Sequence, residues 1–179
     1  MATEYARRKF SLQPLGPEWA EKFQHVAEHI RPAFGALWGG VEHVGSTAVP
    51  GMIGKPTLDV LVLVSDIAAI EAVVPAMEAL GYEDAGAYVS PESRLFVQEH
   101  ERERLINIHV FEPTHPQALD MVAVRDFLRS HPAMVQQYVA VKQQAYAEHP
   151  NDYAAYRKPK DALMVELVKQ ARSWHDQQG

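Results

Sequence analysis

The chain has 179 residues, of which 47% are apolar and 22% charged; that suits one globular domain with a substantial core and excludes a disordered or fibrous chain. A formal net charge of −6 supplies no global basic field for a nucleic-acid backbone, so no nucleic acid is expected as a partner. The absence of cysteine excludes disulfides, thiolate zinc sites and cysteine nucleophiles, and it fits a reducing cytoplasm.

In chain order, the stretch from Met1 to Lys9 carries positive charge with no apolar run behind it, so it does not read as a signal peptide. Pro17 followed by Glu18 and Trp19 starts a helix, because proline suits the first helical position and acids favour the first turn. Trp19, Phe23 and Val26 fall at helical spacing, and the helix is expected to run to about Ile30, with Pro32 bending or ending it. Val41 to Val44 is a short strand ending at Gly45-Ser46, and Ser46 to Pro56 is a loop. Thr57 to Val64 is a near-continuous apolar, β-branched run of the kind found in strands covered on both faces, and Asp59 stands out as its one carboxylate.

Ser65-Asp66 supplies a cap for a helix to about Leu80, with Gly81 as its stop and Pro75 interrupting it. Tyr82 to Val89, Arg94 to Gln98 and Arg104 to Glu112 read as strands, the last two joined by a charged hairpin turn over Glu99 to Glu103. Helices are expected over Gln117–Ser130, Ala133–Glu148 and Pro159–Trp174, the last with a core stripe of Leu163, Leu167, Ala171 and Trp174. No repeat, linker or low-complexity tract divides the chain. Residues 1–179 are therefore expected to form one α/β (α+β) domain, sheet-rich over about 10–113 and helical over about 116–174. No window approaches the roughly 18 apolar residues of a membrane span, so a cytoplasmic protein without a membrane partner is expected.

The chemistry concentrates between Gly45 and Asp59. Glycine lets backbone approach a phosphate closely, Ser46 and Thr47 add hydroxyl donors, and the amides of such a turn can form an anion-binding concavity. Asp59, on a neighbouring strand, could hold a divalent cation bridging phosphate oxygens. Lys55 is either a point-charge phosphate binder or a solvated loop lysine. The sequence Gly54-Lys55-Pro56-Thr57 is not a P-loop, since proline follows the lysine where Ser or Thr belongs.

The longer string from His43 through Gly45-Ser46-Thr47 to Gly51, followed by Lys55-Pro56 and Asp59, resembles the motif of the GrpB family, also designated UPF0157. The resemblance extends to the Pro17 helix, to Ile108-His109-Val110 and to Arg125–Arg129 with Tyr138 and Lys142, covering roughly residues 10–172. It implies a nucleotidyltransferase-like fold, in which a mixed β-sheet is flanked by helices and followed by a C-terminal helical segment. It further implies either a transferase moving a nucleoside monophosphate from a triphosphate to an acceptor, or a module that binds a nucleotide or small phosphorylated ligand without transferring it. On this footing Asp59 and Ser46 are the catalytic candidates. Gly45, Ser46, Thr47, Lys55, Arg125 and Lys142 are the phosphate-binding candidates, and Asp59, His109 and His43 the ligands of a Mg²⁺ or Mn²⁺ ion.

The superfamily pattern places two acids on the Asp59 strand, one residue apart. Here the second position is Leu61, and the strand 104–112 offers Asn107 and His109 rather than a third acid. Two-cation catalysis needs more carboxylates than one. His43 and His109 are either ligands or histidines hydrogen-bonded within the fold. Arg125, Arg129 and Lys142, with Arg157, Lys158 and Lys160 beyond, form either a positive wall or structural ion pairs, and Tyr138, Tyr146, Tyr153 and Tyr156 either stack on a base or fill core.

Overall fold

A computed structural model describes residues 9–178; the stretch tested for a signal peptide lies, but for Lys9, outside the described residues. A short strand β1 (Gln13–Pro14) leads into helix α1 (Glu18–Phe34). Trp19, Phe23, Val26, Ala27, Ile30 and Phe34 recur at helical spacing along α1 and are all buried. The helix does not end at Pro32: it continues to Phe34, whose ring is itself in the core.

Strand β2 (Trp38–Val44) follows, then a tight 3₁₀ turn over Ser46–Ala48, the short strand β3 (Ile53–Gly54) and strand β4 (Leu58–Val64). The expected helix after β4 is broken in two. Asp66 caps a 3₁₀ turn over Ile67–Ala72, accepting from the Ala68 amide at 2.9 Å, and helix α2 (Val74–Ala79) starts afresh with Pro75 in its first turn. Proline has no amide to continue the earlier turn, so the break falls there.

Of the expected strand Tyr82–Val89 only β5 (Glu83–Asp84) forms a ladder. Beyond it Ser93 Oγ gathers the amides of Tyr88, Val89 and Ser90 into a loop, an alternative to sheet pairing that serine hydroxyls offer. Strands β6 (Arg94–His100) and β7 (Glu103–Phe111) make the expected hairpin. Its two loop residues, Glu101 and Arg102, both take positive φ, as a two-residue turn between twisted strands requires.

Three helices close the chain: α3 (Pro116–Ser130), α4 (Pro132–Glu148) and α5 (Tyr153–Asp176). Helix α5 begins before Pro159 because Asp152 caps it, accepting from the Ala155 amide at 3.0 Å.

The main sheet has the order β2-β4-β7-β6-β5, with β4 and β7 parallel and every other pair antiparallel. Side chains alternate across it. Leu58, Val60, Val62 and Val64 of β4, with Ile106, Ile108 and Val110 of β7, pack in one core with α1. On the opposite face Leu61 and Phe111 pack with Ala118 and Met121 of α3. The chain thus has a mixed sheet covered by helices on both faces, as expected, and Asp59 emerges on the α3 side. Among the described residues no helix is long and apolar enough to cross a membrane.

Candidate functional site

The turn after β2 and the carboxylate of β4 are locked together. Val44 is the ladder partner of Asp59, so the next residue, Gly45, turns directly over the Asp59 side chain. Gly45 has φ +73° and ψ −168°, a region essentially reserved for glycine. A Cβ there would stand 2.5 Å from Asp59 Oδ2 and 2.9 Å from Asp59 Cβ, so the position lacks both the dihedral freedom and the space for a side chain. On the other side Asn107 Nδ2 donates to Asp59 Oδ1 at 2.9 Å, and His109 Nε2 lies 3.2 Å from the same oxygen. The register explains both contacts: Asn107 is the partner of Asp59 in the parallel pair, and His109 is the next residue on that face. Burial alone would push the Asp59 carboxyl up; the His109 and Asn107 hydrogen bonds and the nearby Lys55 charge outweigh it and hold the carboxyl below its ordinary range.

These groups open into a cleft of about 360 Å³ between the sheet and α3, α4 and α5. Its polar lining includes Ser46, Asp59, His109, Arg125 and Lys160, and its apolar lining Met52, Met121, Val124, Leu128 and Met164. A second groove of about 570 Å³, beside α3 and the end of α5, is larger but is lined by neither the Gly45-Ser46 turn nor Asp59 or His109.

Of the phosphate-binding candidates, Gly45, Ser46 and Arg125 line the cleft. Arg125 is nevertheless committed to protein partners: Nη1 reaches Glu42 at 2.5 Å and the His43 carbonyl at 3.1 Å, while Nε donates to Asp126 at 2.7 Å. Arg129 donates to the Ala48 carbonyl at 2.8 Å, so two guanidiniums pin α3, Arg125 to β2 and Arg129 to the turn after it. Lys55 contacts the hydroxyl and the ring face of Tyr153. Lys142 is no exposed wall: it is 2% exposed, and its Nζ donates to Ser46 Oγ at 2.7 Å and the Ile53 carbonyl at 2.8 Å. Thr47 turns away from the cleft, its hydroxyl 2.9 Å from His43 Nε2.

His43 sits with Thr47 for a topological reason. Val44 faces Asp59, so its neighbour His43 points to the other side of the sheet, where it stacks on Phe23 with ring centroids 4.8 Å apart. Burial, then the charges of Arg129 and Arg125, lower its pKa to about 4, against an opposing effect of Asp59. Asp59 and His109 are brought together; His43 is not brought to them. Among the described residues no three or more His, Cys, Asp or Glu side chains cluster so as to hold a metal ion. With Leu61 and Asn107 beside a single carboxylate, the donor set does not fit a two-cation centre.

Lys160 joins the site from α5. Burial lowers its pKa first, and the charges of Lys55 and Arg157 add to that against Asp161 and Asp59. Lys142 is lowered to about 7 by burial and then by Lys160 and Lys55. Three lysines therefore crowd one carboxylate. A signal for Lys160 was present in the sequence, because it follows Tyr156 by four residues and precedes Leu163 by three, placing a lysine on the buried stripe of its helix. The tyrosines are core: Tyr138, Tyr153 and Tyr156 are buried, and Phe10 packs against the last two. In the core stripe Leu167 and Ala171 are fully buried and Leu163 and Trp174 flank them.

This is a mixed α/β protein whose glycine-serine turn, strand aspartate and Lys160 share one cleft, with the buried Lys142 behind Ser46. The chain belongs to the GrpB family: the family model described as GrpB protein matches residues 9–170. It is similar to the UPF0157 protein YqkA of Bacillus subtilis, at 31% identity over 170 residues, covering 95% of this chain and 49% of that protein. It thus spans about half the length of that relative. It is also 27% identical over 200 residues to the dephospho-CoA kinase of Mycolicibacterium paratuberculosis, covering 98% of this chain and 49% of that enzyme. The crystal structure of the conserved protein GrpB from Enterococcus faecalis superposes with a TM-score of 0.86 at 28% identity, over 92% of this chain and 99% of that one.

Proposed function

We propose that the cleft binds a nucleotide or another small phosphorylated metabolite on a nucleotidyltransferase-like fold. The observation that carries this is the pair of cations lining the cleft beside Gly45 and Ser46, Lys160 and Arg125, with Lys142 on Ser46 Oγ behind them and Lys55 close enough to lower the pKa of both Lys142 and Lys160. A cleft lined by cationic side chains gains from an anionic ligand. The apolar part of the lining, from Met52 to Met164, suits the uncharged portion of such a ligand, which a bare phosphate lacks. The similarity to a dephospho-CoA kinase makes adenylate and CoA-like molecules the first ones to try. Asp59 together with the ligand's own phosphate oxygens is the set that would hold a single Mg²⁺ or Mn²⁺.

Calorimetric titration with ATP, CoA and dephospho-CoA, each with and without Mg²⁺ or Mn²⁺, tests the reading. Saturable binding that weakens about tenfold in Lys160→Met is expected, the loss of one charge-assisted contact. No binding by any of the three sinks it.

A second reading, transfer of a nucleoside monophosphate from a triphosphate to an acceptor, is favoured by the Asp59–His109 pair in the cleft, 3.2 Å apart. Incubation with labelled triphosphates and a broad acceptor panel decides it, and binding without product leaves the binding module alone.

A further inference from the structure

Lys142 is in an unusual position for a lysine. It is 2% exposed, and among the described residues no carboxylate lies within ion-pair distance of its Nζ. Its neighbours are Ser46 Oγ at 2.7 Å, the Ile53 carbonyl at 2.8 Å and the face of the Tyr138 ring at 4.3 Å. None of these carries a negative charge. A buried ammonium without a carboxylate in direct contact is costly, whereas a neutral amine fits the same contacts. In that form one N–H donates to Ile53, another faces the Tyr138 ring, and the lone pair is left for the Ser46 hydroxyl proton. Burial, then the charges of Lys160 and Lys55, favour the neutral form against the opposing charge of Asp59, and the pKa falls to about 7.

Ser46 is the other half. It lines the cleft while Lys142 stands behind it, so the hydroxyl is accessible and the base is shielded from water. The two are brought together across 96 residues of sequence, and Gly54 leaves room for them. A Cβ at Gly54 would stand 3.3 Å from Ser46 Cβ and 3.6 Å from Lys142 Nζ. A hydroxyl within hydrogen-bond reach of a neutral amine is the nucleophile–base arrangement of serine–lysine sites.

We propose that Ser46 is a nucleophile activated by Lys142, attacking the phosphorus of a phosphoanhydride held in the cleft. As Ser46 Oγ forms its bond to phosphorus, its proton passes to Lys142 Nζ. The bond from phosphorus to the bridging anhydride oxygen breaks, and the leaving phosphate departs as an anion. Lys142, now an ammonium, gives the proton up when water or an acceptor hydroxyl cleaves the serine ester. No cation is required as the base. The natural donor rests on the phosphate reading of the cleft, but the nucleophilicity of Ser46 does not.

The test therefore uses a reagent that needs no nucleotide recognition. The full chain is treated with a fluorophosphonate, in which phosphorus–fluorine cleavage releases fluoride, and the modified peptide is read by mass spectrometry. Labelling at Ser46 is expected, its rate rising with pH through about 7 as Lys142 loses its proton and levelling above. Ser46→Ala removes the label. Lys142→Met and Lys142→Arg, each checked for folding by circular dichroism, lose about 10²–10⁴-fold in labelling rate, the usual range for a general base. An unlabelled Ser46 at pH 8.5 overturns the proposal. So does a rate flat from pH 5.5 to 8.5 in the wild type, which needs no variant to fold, or a folded lysine variant labelled at the wild-type rate. Nucleotide binding with an inert Ser46 separates this failure from failure of the binding reading.

Discussion

Replacing Gly45 by alanine tests the physical basis of the site. Two costs add at this position. The backbone, at φ +73° and ψ −168°, lies where non-glycine residues are strained by about 1–3 kcal/mol. The new methyl would also lie 2.5 Å from Asp59 Oδ2 and 3.0 Å from its Cγ. Asp59 cannot simply swing aside, because Asn107 and His109 hold Oδ1 at 2.9 and 3.2 Å. Overpacking of that kind costs about 1–3 kcal/mol more. Together they give about 4 kcal/mol, which at about 2–4 °C per kcal/mol lowers Tm by about 8–16 °C. Gly51→Ala is the internal control: Gly51 also has positive φ, +76°, but a methyl added there would meet nothing within 4 Å. It bears only the left-handed cost of about 1–2 kcal/mol. Differential scanning calorimetry of both variants isolates the close approach to Asp59. If the two melt within a degree of each other, the carboxylate is not packed under the turn and the description of the site is wrong.

His43 should make the fold acid-sensitive in a defined window. It is neutral inside the protein, with a pKa lowered to about 4 from 6.5, so its contribution is complete above pH 6.5 and is lost as pH falls from 6.5 through about 4. A shift of that size is worth about 3 kcal/mol, and thermal melts of His43→Gln should show a flatter Tm profile between those pH values; an unchanged slope assigns the acid sensitivity elsewhere. Arg125→Met should destabilise by about 1–3 kcal/mol, less than a fully buried pair because Glu42 and Asp126 are partly exposed. Urea denaturation measures it, and a loss below about 0.5 kcal/mol would mean that the guanidinium does not fasten α3 to β2.

What was legible in the sequence is what local patterning governs. The apolar run Leu58–Val64 became the central strand because both of its faces are covered, and Asp59 stood out as the one charge within it. The broken helix after Asp66 and the loop after Asp84 were less legible. In each, a local hydrogen bond, to Asp66 in one and to Ser93 in the other, competes with the regular element that the apolar pattern suggests. The His43 placement needed the strand register, which pairs Val44 rather than His43 with Asp59 and which nothing local encodes. Lys142 is the sharpest case. Its place four residues after Tyr138 sets it on the buried stripe of its helix, but only the packing of α4 against β3 makes it an amine on Ser46. The same packing that hides the amine from water is what lowers its pKa, so the feature with most chemical consequence arises from tertiary contact. A glycine-serine turn and a strand aspartate mark where the site is; the lysines delivered from α4 and α5 determine what charge it carries.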